Sequence, residues 1–138
     1  MTASLGVHRR RLSATLLALA VLGGAACSSP QPDVTVTDSG NGGRVSVSVG
    51  QVLDIVLHDN YSTSKAQWRS EPAQDDILNY LGSKYEPDKP PPGSTDVGVF
   101  TARYKAVKRG TVSVALVQED NATPPRVVNH FSVDVTVS

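Results

Sequence analysis

Residues 126–138 read RVVNHFSVDVTVS and carry the cleanest alternation in the chain. Val127, Asn129, Phe131, Val133, Val135 and Val137 fall on one face, and Arg126, Val128, His130, Ser132, Asp134 and Thr136 on the other. A period of two, rich in β-branched residues, is the mark of a strand with one buried face. The same pattern recurs upstream. Val45, Val47 and Val49 share a face in 44–49, as do Leu53, Ile55 and Leu57 in 52–58. Phe100, Ala102, Tyr104 and Ala106 do so in 99–107, and Val112, Val114 and Leu116 in 111–118. Asp33–Thr37 is a shorter strand candidate, and 66–70 holds Trp68, the largest candidate for the core.

Glycine, proline and polar runs separate these segments. Asp38–Gly43 (DSGNGG) reads as a turn and Asp59–Lys65 (DNYSTSK) as a polar loop. Glu86–Gly93 (EPDKPPPG) excludes regular structure, because proline has no amide to donate. In 72–85 the apolar residues Ile77, Leu78, Tyr80 and Leu81 suggest a short strand or turn that Gly82 ends. The chain thus has seven or eight strands and no convincing helix. An immunoglobulin-like antiparallel β-sandwich accounts for them, and a closed small barrel is the alternative.

The N-terminus has a different character. Arg9, Arg10 and Arg11 precede an apolar run, Leu12–Leu22, then Gly23, Gly24, Ala25, Ala26 and the single cysteine, Cys27. A charged region, a short apolar region and small residues define a secretory signal peptide. The apolar run is shorter than the ~20 residues that span a bilayer. The segment resembles the lipobox of bacterial lipoproteins, although Gly24 stands where that pattern has an aliphatic residue. The resemblance implies cleavage after 1–26, a diacylglyceryl thioether on Cys27, and a protein held on the outer face of the cell membrane. Arg9-Arg10 leaves the general and twin-arginine export routes both open. The division that follows is a signal peptide at 1–26, a tether with a first short strand at 27–43, and the sandwich at 44–138.

The formal charge of the whole chain is zero, but the three arginines leave with the signal. The remaining part is mildly acidic, which gives no electrostatic reason to bind nucleic acid. With one cysteine there is no internal disulfide, so stability rests on packing. Such a domain is expected to be monomeric.

Chemistry-bearing residues are sparse. His58-Asp59 and His130 are the candidates for a metal or acid–base site, but their phase directs both histidines to solvent on different sheets, and zinc wants three or four convergent ligands. Asp75-Asp76 are adjacent on an extended chain and point apart. No nucleophile motif is present. The expectation is therefore a non-catalytic protein without cofactor or metal.

From Val49 onward the order of features is similar to the chagasin family, immunoglobulin-like inhibitors of papain-type cysteine proteases. The resemblance rests on 49–53 (VGQVL), the asparagine-led loop 60–64 (NYSTS), Trp68, 100–106 (FTARYKA), and the Lys108, Gly110, Thr111 turn. It implies three inhibitory loops at one end of the sandwich. Asn60, Tyr61, Ser62 and Thr63 lie in the first, with Tyr61 and Ser64 replacing the family's proline and glycine. Gly93 and Gly98 bound the second (GSTDVG). Asp120 and Asn121 lie in the third, 118–125 (QEDNATPP), which lacks the family's arginine and aromatic. A loop that enters a protease cleft uncut needs a fixed shape and an anchor, and Tyr61 is the one ring expected at a loop tip. A second reading of Asn60, Ser62 and Thr63 makes them ordinary turn residues bonded to nearby backbone. The expected partners are a protease or another envelope protein, and the alternative function is a structural or interaction module of the cell envelope.

Overall fold

A computed structural model describes residues 30–70, 76–94 and 97–138. Cys27, the signal segment and Asp75 lie outside the described residues. Eight strands form two four-stranded sheets. One contains β1 (Val34–Thr37), β3 (Val52–His58), β6 (Val99–Ala106) and β5 (Leu78–Glu86), in the order β1-β3-β6-β5. The other contains β2 (Gly43–Val47), β8 (Val127–Val137), β7 (Gly110–Glu119) and β4 (Gln67–Ser70), in the order β2-β8-β7-β4.

The inward faces follow the alternation. Leu53, Ile55, Leu57, Phe100, Ala102, Tyr104 and Ala106 on one sheet meet Val112, Val114, Leu116, Phe131, Val133, Val135 and Val137 on the other. Trp68 is buried with them at 5% exposure. It also makes a polar link between the sheets, because its indole Nε1–H donates to the His58 carbonyl at 2.8 Å. Tyr104 is buried on the same terms, its hydroxyl 2.8 Å from Ser70 Oγ. A buried Trp or Tyr needs such a partner, since an unpaired polar group in the core costs about 1–3 kcal/mol.

Four local expectations are corrected. The sandwich is not wholly antiparallel: β1 runs parallel to β3, and β2 parallel to β8. Alternation fixes which face is buried but is blind to strand direction, and each parallel partner is an edge strand reached by switching sheets. Gly82 does not end its strand. It sits inside the nine-residue β5, where the register slips between Tyr80 and Gly82, and its φ of 127° suits glycine at such a bulge. The 59–65 loop contains a helical turn, α1 (Tyr61–Ser64). Val49 and Val127, in phase with the core, are 48% and 45% exposed.

The outer face of the β3–β6 pair is less exposed than its polar residues suggested. Asp54 and Thr101 are buried there. Arg103 donates two bonds to Asp54, Nε to Oδ1 at 2.7 Å and Nη2 to Oδ2 at 2.8 Å, and a third from Nη1 to the Pro30 carbonyl at 2.9 Å. Pro32, Pro90 and Pro92 border the same cleft. Paired guanidinium and carboxylate can be covered in this way because every charged oxygen keeps a donor.

Asp33 and Asp38, at either end of β1, accept the amides of Val52 and His58. They close both ends of β3 where its ladder runs out. Trp68→Ala should cost about 3–5 kcal/mol, read as a lower urea midpoint, since it empties the core and orphans the His58 carbonyl.

Candidate inhibitory loops

Three connections leave the sheets at one end. They are the 59–66 loop from β3 to β4, the 87–98 loop from β5 to β6, and the 120–126 loop from β7 to β8. The pairings His58 with Val99, Glu86 with Val99, Gln67 with Glu119 and Glu119 with Val127 put all six strand ends together. The sequence-derived residues Asn60, Tyr61, Ser62, Thr63, Gly93, Gly98, Asp120 and Asn121 therefore share this end of the molecule.

The first loop is a closed turn. Asp59 Oδ1 accepts the Tyr61 amide at 3.0 Å, an Asx turn that starts α1. Asn60 supplies its carbonyl, not its side chain: the amides of Thr63 and Ser64 and the hydroxyls of both residues donate to it. Lys65 ends the turn in the left-handed region, φ 58°, and its Nζ donates to the Ser62 carbonyl at 2.8 Å. The ordinary-turn reading of Thr63 thus describes its hydroxyl. These bonds give the loop one shape without proline or glycine.

Tyr61 is 38% exposed. Its ring meets Tyr85 of β5 edge-on, with centroids 6.0 Å apart, and Lys65 Nζ lies 5.8 Å from its centroid. The exposed ring is therefore held from two sides.

The first two loops touch. The Asp59 amide donates to the Gly98 carbonyl at 2.9 Å, and the Gly98 amide to the Lys89 carbonyl at 2.8 Å. Gly98 is buried, with φ 118°, and a Cβ there would collide with the Asp59 carbonyl oxygen. Its role is to let the two loops meet, not to offer surface. Gly93 is exposed, at φ 79°. A cleft of about 340 Å³ between the loops is lined by His58, Asn60, Ser62, Thr63 and Val97.

The third loop repeats the device of the first. Asp120 Oδ1 accepts the Ala122 amide at 3.1 Å and the Arg126 amide at 3.0 Å, while Oδ2 pairs with the Arg126 guanidinium at 2.8 Å. Asn121 is exposed beside it. The Arg126 amide, then burial-opposed bonds from Ala122 and the Arg126 side chain, hold the Asp120 carboxyl below the ordinary range. At its base this loop joins the first through Gln118 Nε2, which donates to the Ala66 carbonyl at 3.4 Å.

Asp59 is the residue that sequence reasoning placed wrongly. It opens the stretch read as a polar loop, yet it is 0% exposed. Burial raises its pKa, while the Tyr61 and Trp68 amides and then His58 oppose the shift. A local signal was present: both the first and third loops open with Asp-Asn, the common start of an Asx turn. His58 is half-buried on β3 and His130 exposed on β8, in different sheets.

A carboxylate with a lowered pKa lends stability that is present above its unfolded value and lost as pH falls through the folded one. Hydrogen exchange at the Ala122 and Arg126 amides should therefore accelerate, relative to core amides, as pH drops below about 4. Asp120→Asn should show faster relative exchange already at neutral pH.

A sequence profile described as "Chagasin family peptidase inhibitor I42" matches residues 46–137, which is more than half of the chain. No curated protein matches it significantly. Among solved structures, the cysteine protease inhibitor EhICP2 from Entamoeba histolytica superposes with a TM-score of 0.61 at 17% identity, covering 78% of this chain and 100% of that one. Amebosin, known from a solution structure, superposes with a TM-score of 0.57 at 20% identity over the same shares. The two structures establish the likeness of fold, and the matched profile establishes the lineage: the chain belongs to the chagasin family of peptidase inhibitors, proteins that block proteolysis without being enzymes.

Proposed function

We propose that this protein inhibits a papain-type cysteine protease by inserting the 59–66, 87–98 and 120–126 loops into its cleft, and that it does so from the cell envelope, anchored by a lipid on Cys27. The observation that carries the inhibitory part is the gathering of the three loops at one end, the first two in contact and the third tied in at its base.

A protease cleft reads extended peptide. The first loop instead presents a helical turn closed by Thr63, Ser64 and Lys65. A pre-shaped loop loses little freedom on binding and is a poor substrate. Tyr61, held by Tyr85 and half in solvent, is the aromatic anchor of this surface.

The anchoring part rests on the sequence of 9–27. It is supported by the direction of β1. That strand is parallel to β3, so Val34 lies at the end of the sandwich opposite the loops. A tether entering there leaves the loops directed away from a membrane.

Titration of the purified protein against papain tests the first part. Inhibition is expected at micromolar protein or below, with Tyr61→Ala combined with deletion of Ser94–Val97 weakening it at least about tenfold, or ~1.4 kcal/mol. Absence of inhibition at micromolar protein removes the reading and leaves the interaction-module alternative. For the anchor, labelling with radioactive palmitate should be lost in Cys27→Ala.

A further inference from the structure

Asp59 is fully buried where the first two loops meet. Its backbone amide bonds Gly98 of the second loop, and its Oδ1 bonds the Tyr61 amide of the first. Its Oδ2 is buried with no hydrogen-bond partner of its own. The backbone at Gly98 comes so close to Asp59 that no side chain fits between them. Around the carboxyl lie the amides of Tyr61 and of Trp68 from β4, His58 of β3 and the Tyr85 hydroxyl of β5. The two amides, and then the His58 charge, draw the carboxyl toward its ionised form against the larger effect of burial. The Tyr85 hydroxyl is itself raised in pKa by burial first and by the Asp59 charge second, so ring and carboxyl sense one another.

We propose that Asp59 is a positioning residue of the inhibitory surface: protonated, it keeps the Asp59–Asn60 backbone, and with it the turn that follows, seated on Gly98, and ionised, it lets that seat loosen, so the grip on a protease weakens as pH rises. The proposal builds on the inhibitory reading above and names its regulation.

An unpartnered carboxylate oxygen in a dry site is costly when charged. Two responses are open to it, taking a proton or gaining water. Taking a proton leaves the closed loops intact and even supplies an O–H. Gaining water requires the turn to lift from Gly98. The sign follows from the raised pKa. The stabilisation is complete below the ordinary aspartate value and is lost as pH rises through the folded-state value. Asp59→Asn keeps an Oδ1 acceptor for the Tyr61 amide and cannot ionise, so it should hold the seated arrangement at all pH values.

The test has two readouts. In the first, the inhibition constants of the wild type and Asp59→Asn for papain are compared from pH 4 to 7, as a ratio at each pH so that titration of the protease cancels. The wild type should weaken relative to the variant by at least about threefold across that range, roughly half a decade of affinity. A flat ratio overturns the proposal. In the second, the Tyr61 and Gly98 amide resonances of the free protein are followed from pH 3 to 8. Both should move through one inflection above the ordinary aspartate value of ~3.9, and that inflection should vanish in Asp59→Asn. If papain is not inhibited and the inflection is present, the inhibitory reading falls and the positioning role stands. If the inflection is missing in the wild type, the positioning role falls whatever the inhibition. The wild-type inflection can be read whether or not the variant folds.

Discussion

The bond from the Trp68 indole to the His58 carbonyl, 2.8 Å long, joins the two sheets where the loops begin. β3 gives up its ladder at His58, and its last carbonyl points into the space between the sheets. A hydrocarbon side chain there would fill the volume and leave that carbonyl unpaired. The indole fills it and pairs it together. With this corner closed, the chain turns at Asp59, crosses from one sheet to the other, and enters β4 at Gln67. The position of the first loop, and through Gly98 that of the second, follows from that corner.

The loops above it are built mainly from short polar bonds. Asp59 and Asp120 each start a turn by receiving an amide two residues on, and Asn60 offers one carbonyl to four donors. Such bonds are individually modest, about 0.5–1.5 kcal/mol each. Together they leave the turns few alternative shapes. This is how the first loop, with neither proline nor glycine, holds a defined shape.

The outer face of the β3–β6 pair shows the same economy in a different form. Asp54 and Arg103 read in the sequence as outward polar residues, and they are outward. They are nevertheless covered, because the segment around Pro30–Pro32 and the prolines at 90 and 92 close over them. Proline suits this task, since it covers a surface without adding an amide that would itself need a partner. Their bidentate pairing lets the cover form over charge.

How far the sequence could be read is set by the range of each effect. Alternation is local, so the inward faces of β3, β6 and β7 and the place of Trp68 in the core were legible residue by residue. The separation of His58 and His130 onto different sheets was legible too, and so was the membership of Asn60, Tyr61, Asp120 and Asn121 in loops. Strand direction is not local: β1 beside β3 and β2 beside β8 depend on which edge each strand reaches after changing sheets. Nor did composition disclose the helical turn at 61–64, whose bonds converge on a single carbonyl. The burial of Asp59 was the least legible feature. It depends on a glycine far along the chain arriving with φ 118° and no side chain. A carboxylate's surroundings, and hence its readiness to hold a proton, belong to whatever the folded chain brings against it, whereas the side on which a strand residue falls is settled by its two neighbours.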